Sequence, residues 1–276
     1  MRVHERASCG RLVKMLLIII KVQSKEIENV VTIMTTGRFF LDTEYTNGNY
    51  YMGDIFEITI ISEDTCRVFH KYIKIPYRLS NNVMNICSNV TNKTLQQKAV
   101  PFSYMLKMML KFIHSETTTP TLIAHGGFLW DFPLLMINCM KYNVDVVMIF
   151  TQYSFIDSMK MLQENGYYKP GLETISRVTS QHNALEDTKV LLKVFTKQSP
   201  FSEILNEYKK VYSLKDILHF VKTKLPVSIT RIYKLVSSCR CHQELLTILN
   251  QYVQERTALN KKQVVKIVNY CYKYLR

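Results

Sequence analysis

Three separated stretches carry side chains able to do chemistry: Phe39-Phe40-Leu41-Asp42-Thr43-Glu44, then Ala124-His125-Gly126-Gly127-Phe128-Leu129-Trp130-Asp131, then His182-Asn183-Ala184-Leu185-Glu186-Asp187. Asp42 and Glu44 stand two apart in a run rich in strand-forming residues, and the two-residue period of a strand sends both carboxylates to one face. The apolar residues before them seat that strand in a sheet interior, where unneutralised acids are costly. Divalent cations remove the conflict. Asp42, Glu44, Asp131 and Asp187 together offer hard oxygen ligands suited to Mg2+ or Mn2+ rather than zinc. Two such ions, about 3.5–4 Å apart, suit in-line displacement at a phosphodiester, with His182 as the general base for the attacking water. Thr43, Tyr45 and His125, interleaved with or beside these acids, are candidate substrate contacts.

The third stretch has its own local geometry. Asn183 as N-cap places Glu186 at the third helical position, an acidic analogue of a capping box, and brings His182 and Asp187 together across the first turn. Asp131 opens a helix whose first turn holds Pro133, a position that tolerates proline because its missing N–H is not needed there.

The elements that position these groups can be read from periodicity. Gly37–Tyr45, Ile55–Ile61 and Arg67–Ile75 are rich in β-branched and aromatic residues and separated by turn formers, predicting an antiparallel meander. Residues 80–101 read as polar and irregular. Phe102–His114 carries apolar residues at helical spacing, Thr121–Ala124 is a short strand, Phe132–Lys141 a helix and Val144–Phe150 a further strand. Pro170-Gly171 introduces a short helix and Asn183–Lys197 forms a longer one. This order predicts an α/β domain with a mixed sheet flanked by helices over residues 34–199. From 200 to 276 the pattern turns helical, with predicted helices at Phe201–Tyr212, Leu214–Lys222, Leu225–Val236, Gln243–Val253 and Lys261–Tyr274.

The chain has 276 residues, a formal charge of +14 and 47% hydrophobic content, which fits a folded protein with an anionic partner and excludes a disordered chain. Residues 201–276 hold 14 Lys or Arg against five Asp or Glu, +9 of that charge, so this helical module is expected to contact nucleic acid or to dock a protein or second copy. The seven cysteines are odd in number and irregularly spaced, which predicts free thiols in a cytoplasmic or nuclear setting rather than a disulfide framework. Cys239-Arg240-Cys241-His242 lacks a second ligand pair at zinc spacing. Met15–Ile20 is too short to span a bilayer, so residues 1–33 are read as an extension outside the main fold and no membrane partner is expected.

The three stretches resemble the DnaQ-like DEDDh 3′→5′ exonucleases. Ala124–Asp131 continuing into Phe132-Pro133-Leu134-Leu135 looks most like the three-prime repair exonucleases, as do Gly53–Ile58, Asn89-Val90-Thr91 and Phe155-Ile156-Asp157-Ser158. The likeness covers about residues 35–198. It implies a ribonuclease H-like fold and two Mg2+ or Mn2+ ions held by Asp42, Glu44, Asp131 and Asp187. It also implies His182 as base. The expected reaction releases nucleoside 5′-monophosphates from DNA 3′ ends, single strands favoured because a narrow site must separate a terminal nucleotide from its neighbour. Gly126 departs from the asparagine common at its position, Tyr45 from a small residue, and the connection between Arg177 and His182 is short. RNA as substrate, or a noncatalytic nucleic-acid-binding scaffold, remain the alternatives.

Overall fold

A five-stranded mixed sheet in the order β3-β2-β1-β4-β5 forms the centre of the computed structural model, which describes residues 37–47, 53–87, 89–142, 144–179, 182–196 and 199–223. The extension over 1–33 and the helices expected beyond Leu225 lie outside the described residues. β1 (Arg38–Tyr45), β2 (Ile55–Ser62) and β3 (Val68–Tyr72) form the antiparallel meander, and β4 (Thr121–Ala124) and β5 (Ser154–Asp157) continue the sheet parallel to β1.

Alternation along β1 sends its apolar side chains into two of the three hydrophobic clusters found among the described residues; the third gathers Phe56 of β2 with Leu79, Val90 and Leu95. Phe39 and Leu41 join a cluster with α3 (Phe102–His114) and α4 (Asp131–Lys141) on one face, whereas Phe40 packs with α6 (Ser158–Glu164) and α8 (Ala184–Phe195) on the other. Covered on both faces, β2 is buried along its whole length and reads as a continuous run rather than as alternation. Two further helices also belong to these cores. Leu205 of α9 (Pro200–Glu207) joins the second cluster, and Leu214, Ile217, Leu218 and Val221 of α10 (Leu214–Thr223) join the first. Between them Tyr212 exchanges two backbone hydrogen bonds with Phe155, at 2.8 and 2.9 Å, covering the free edge of β5. The helix expected to reach Tyr212 therefore ends at Glu207, because the chain turns extended to pair with the sheet.

Two expectations for secondary structure need correction. Val144–Phe150 is not a strand: Asp145 accepts hydrogen bonds from the N–H groups of Val147 and Met148, both at 3.1 Å, and starts α5 (Val146–Phe150). The strand lies one segment later, at β5. Residues 80–101 are not irregular either, since Ser80 and Thr91 N-cap the short helices α1 (Asn81–Ile86) and α2 (Asn92–Lys98). α7 (Leu172–Ser176) follows Pro170-Gly171 as expected.

Two loops at the carboxyl ends of β4 and β5 are tied by one buried group. Asp157 accepts from the N–H groups of Gly126, Phe128, Met159 and Lys160 at 3.0–3.1 Å and is fully buried. Gly126 has φ +75°, the left-handed region that glycine and asparagine tolerate, which explains glycine where the resemblance expects asparagine. A Cβ on Gly127 would stand 2.6 Å from that of Ala124 and 2.8 Å from the Phe132 ring, so helix α4 can approach only a bare backbone there. Asp157→Ala removes every acceptor of this turn and should cost about 3 kcal/mol in urea unfolding, with Asp157→Asn intermediate. A loss under about 1 kcal/mol would show that the turn holds itself.

Candidate active site

A cleft of about 640 Å³ opens at the carboxyl end of β1 and gathers residues from all three stretches: Asp42 and Glu44 from the strand, His125 and Asp131 after β4, His182 and Asp187 at α8. Carboxyl ends of strands in open α/β sheets are where ligand crevices form. Helix α8 packs over β1 and β2, which puts Asp187 above the strand face carrying Asp42 and Glu44. Carboxylate oxygens of these three residues lie within 4.8 Å of one another. Asp131 reaches the same cleft from the other side of β1, where Thr43 holds its Oδ1 through the backbone N–H at 3.0 Å and the hydroxyl at 2.7 Å. The Thr43 side chain, read from sequence as a substrate contact, is thus committed to orienting an acid.

The α8 terminus forms as expected in part. Asn183 caps it, its side chain accepting from the Glu186 N–H at 3.1 Å. The reciprocal half of the capping box is absent: Glu186 pairs with Lys189 at 2.8 Å, and the Asn183 N–H points to Asp187 Oδ2 at 3.4 Å. The difference follows from position, since Lys189 offers Glu186 a full charge one turn on. His182 is exposed at the cleft with φ +45°, a left-handed backbone that non-glycine residues adopt mainly where structure imposes it.

Crowding shifts the acids in one direction. Desolvation, then the carboxylates of Asp131, Glu44, Asp187 and Glu57, push the Asp42 carboxyl well above its usual range. Desolvation brings Glu44 to about 8, although the Cys87 thiol donates to its Oε2 at 3.3 Å and opposes the shift. Desolvation likewise brings Asp131 to about 7 against the bonds from Thr43. A donor set of oxygens whose mutual repulsion is relieved by positive charge fits divalent cations. Asp42, Glu44 and Asp187 would hold one, with Asp131 available to a second.

Tyr45 and His125, expected as substrate contacts, line the cleft, together with Trp130 and Cys87, which the sequence did not single out. Tyr45 and Trp130 lie at the mouth with rings nearly parallel, centroids 6.1 Å apart and an interplanar angle of 12°. Trp130 adjoins Asp131, and that adjacency was its only sequence signal. Cys87 had none. His125 bonds Ser158 Oγ through Nδ1 at 3.0 Å, and its Nε2 is buried. Desolvation lowers the pKa of this imidazole, with Asp157 opposing.

No protein-family model and no curated protein sequence matches the chain. Among solved structures, one described as "3'-end specific recognition of histone mRNA stem-loop by 3'-exonuclease" superposes with a TM-score of 0.51 at 12% identity, over 73% of this chain and 80% of that one. The chain therefore has a ribonuclease H-like α/β fold, a mixed five-stranded sheet flanked by helices. No helix among the described residues is long and apolar enough to cross a membrane.

The raised carboxyls predict a pH dependence for the metal-free protein. Glu44 and Asp131 bind protons more tightly folded than unfolded, so their stabilisation is complete below about pH 4 and lost as pH rises through about 7 to 8. In a chelator, raising pH from about 5 to about 8 should lower Tm by about 3 °C or more, and Mn2+ should reverse the loss at the higher pH. A Tm that rises over this range, or ignores Mn2+ at pH 8, would contradict the assignment.

Proposed function

We propose that the protein is a metal-dependent 3′→5′ exonuclease that acts on DNA 3′ ends, preferring single strands, and releases nucleoside 5′-monophosphates. The observation that carries this reading is the meeting of Asp42, Glu44, Asp131, Asp187 and His182 in one cleft of a ribonuclease H-like sheet. Mg2+ or Mn2+, two ions when bound, supply charge neutralisation at the phosphoryl oxygens and lower the pKa of water. Asp42, Glu44, Asp131 and Asp187 would hold these ions, and the positive charge so held is what an anionic substrate needs to enter a carboxylate-lined cleft. His182, exposed beside Asp187, accepts the proton of the attacking water as its oxygen bonds to phosphorus. The P–O3′ bond then breaks, and its electron pair takes up a proton to become the 3′-hydroxyl of the shortened strand.

Tyr45 and Trp130 offer the terminal base a flat apolar face, and base–aromatic stacking contributes about 1–3 kcal/mol whatever the base. Trp130→Ala should accordingly raise KM about tenfold and leave kcat within about threefold. A second reading, RNA as substrate, takes its support from the structural neighbour, whose description concerns a histone mRNA stem-loop. No described residue of the cleft is assigned to a 2′-hydroxyl, and matched DNA and RNA strands compare the two sugars directly.

The test is a time course on end-labelled DNA and RNA strands of matched sequence, with and without Mg2+ or Mn2+. Stepwise shortening from the 3′ end is expected, faster on DNA and abolished by chelation. Asp42→Asn should leave no measurable activity, and His182→Ala should lower kcat by about 10²–10⁴. Cleavage confined to RNA would move the assignment to the second reading. Binding without cleavage in either metal, indifferent to Asp42→Asn, would make the protein a noncatalytic nucleic-acid scaffold.

A further inference from the structure

Beside the acidic cleft lies a second concavity of about 590 Å³, walled by Lys74, Tyr77 and Arg78 from the stretch after β3 and by Asn92, Lys93 and Gln96 from α2. Three cations face it and no carboxylate lines it. All three are exposed, and none pairs with an acid among the described residues. The contrast is with Arg67, Lys189 and Lys210, which are neutralised by Glu116, Glu186 and Glu164.

The concavity is held in shape by the fold. Asn92 accepts from the Leu79 N–H at 2.7 Å and donates to the Leu79 carbonyl at 3.2 Å, fixing the 77–80 segment to α2. Lys74 N–H bonds the Val100 carbonyl at 2.9 Å, fixing its other end. The same segment joins the concavity to the cleft. Tyr77 hydroxyl meets Thr46 Oγ1 at 2.9 Å, and both Thr46 and Ser80 line the cleft. Asp54, the acid that accepts from Tyr77 at 2.7 Å, is already paired with Lys141.

We propose that this groove carries the phosphodiester backbone of the strand whose 3′ end lies in the cleft, with Lys74, Arg78 and Lys93 as its phosphate contacts and Tyr77 at the junction. The proposal rests on the nuclease reading of the cleft and extends it. A cleft built from carboxylates supplies little attraction to a polyanion beyond the scissile phosphate itself, so affinity for a longer strand needs cations just outside. Flexible lysines and a forked guanidinium, unpaired and converging on one channel, are suited to phosphates and carry no information about base sequence.

The experiment combines Lys74→Gln, Arg78→Gln and Lys93→Gln in the full chain and measures two substrates. Binding of a long fluorescent oligonucleotide is read by anisotropy in chelator between 50 and 200 mM salt. Hydrolysis of a dinucleotide, too short to reach the groove, is read with Mn2+. The triple variant should bind the long strand about tenfold more weakly at the lower salt and reduce the slope of log affinity against log salt by about two. Dinucleotide kcat/KM should stay within about twofold. Should the triple variant melt early, Arg78→Gln alone should lower the slope by about 0.7. Unchanged long-strand affinity and slope would overturn the groove assignment even if nuclease activity is intact. A wild-type protein that binds the strand but hydrolyses neither substrate would instead remove the nuclease reading, with the anisotropy still deciding whether the groove binds the backbone.

Discussion

Electrostatic conflict at the carboxyl end of β1 is the constraint on which the rest of the structure depends. Carboxylate oxygens within 4.8 Å of one another repel by about 3–4 kcal/mol per ionised pair at an effective dielectric near 20. Domain stability as a whole is only about 5–15 kcal/mol. The fold nevertheless forces these groups together, because Asp42 and Glu44 share a strand face and α8 must lie across that face to cover Phe40 and the rest of the second core. Protons or cations must then supply the missing positive charge, and the upward shifts of Asp42, Glu44 and Asp131 are the protonic version of that solution.

The conflict runs deeper into the sheet than four acids. Register pairs Glu44 with Glu57 and Asp42 with Thr59, and Thr59 in turn with His70, so a polar seam crosses three strands beneath α8. Glu57 is fully buried and bonds His70 Nε2 at 2.8 Å, while its other oxygen and the Thr59 hydroxyl have no hydrogen-bond partner among the described residues. The next pair along β1 and β2 on this face, Phe40 and Ile61, is apolar and fully buried or nearly so. The change from oil to carboxylate therefore occurs within one two-residue step. That step fixes where the cleft can be, since apolar side chains close the sheet surface on one side of it and charge keeps it open on the other.

Much of this was legible in the sequence, and the rest failed for identifiable reasons. Asp42 and Glu44 were readable because strand period alone puts them on one face, and Asn183 because a cap is a local device. Helix α3 and strand β4 matched their predicted limits, as both carry a clean pattern bounded by turn residues. Val144–Phe150 misled because a short continuous apolar run suits a strand or a buried helix equally, and the capping Asp145 decided it. Glu57 was hidden inside a run that reads simply as a buried strand. The Thr43–Asp131 bond joins residues 88 apart and the Asp157 turn joins loops about 30 apart, and no local pattern encodes such meetings. Glu186 was misassigned because a capping box considers the cap alone, whereas Lys189 competes for the same carboxylate.

Charge is distributed in a way that separates two tasks. An acidic cleft repels a polyanion, and that repulsion extends over a Debye length of about 8–10 Å at physiological salt. Cations farther away than this leave the approaching strand unaided at the point where it meets the acids. The net charge of +14 is therefore less informative than its placement. Lysines paired with glutamates on helix surfaces contribute little to attraction, because their field is cancelled close to its source. Lys74, Arg78 and Lys93 differ in lining a groove whose Tyr77 bonds Thr46 of the cleft. On the proposed reading, a strand held there would meet the carboxylates end first. On that same reading, the cleft acids would need cations only at the reacting phosphate, and the groove would set affinity for the chain behind it.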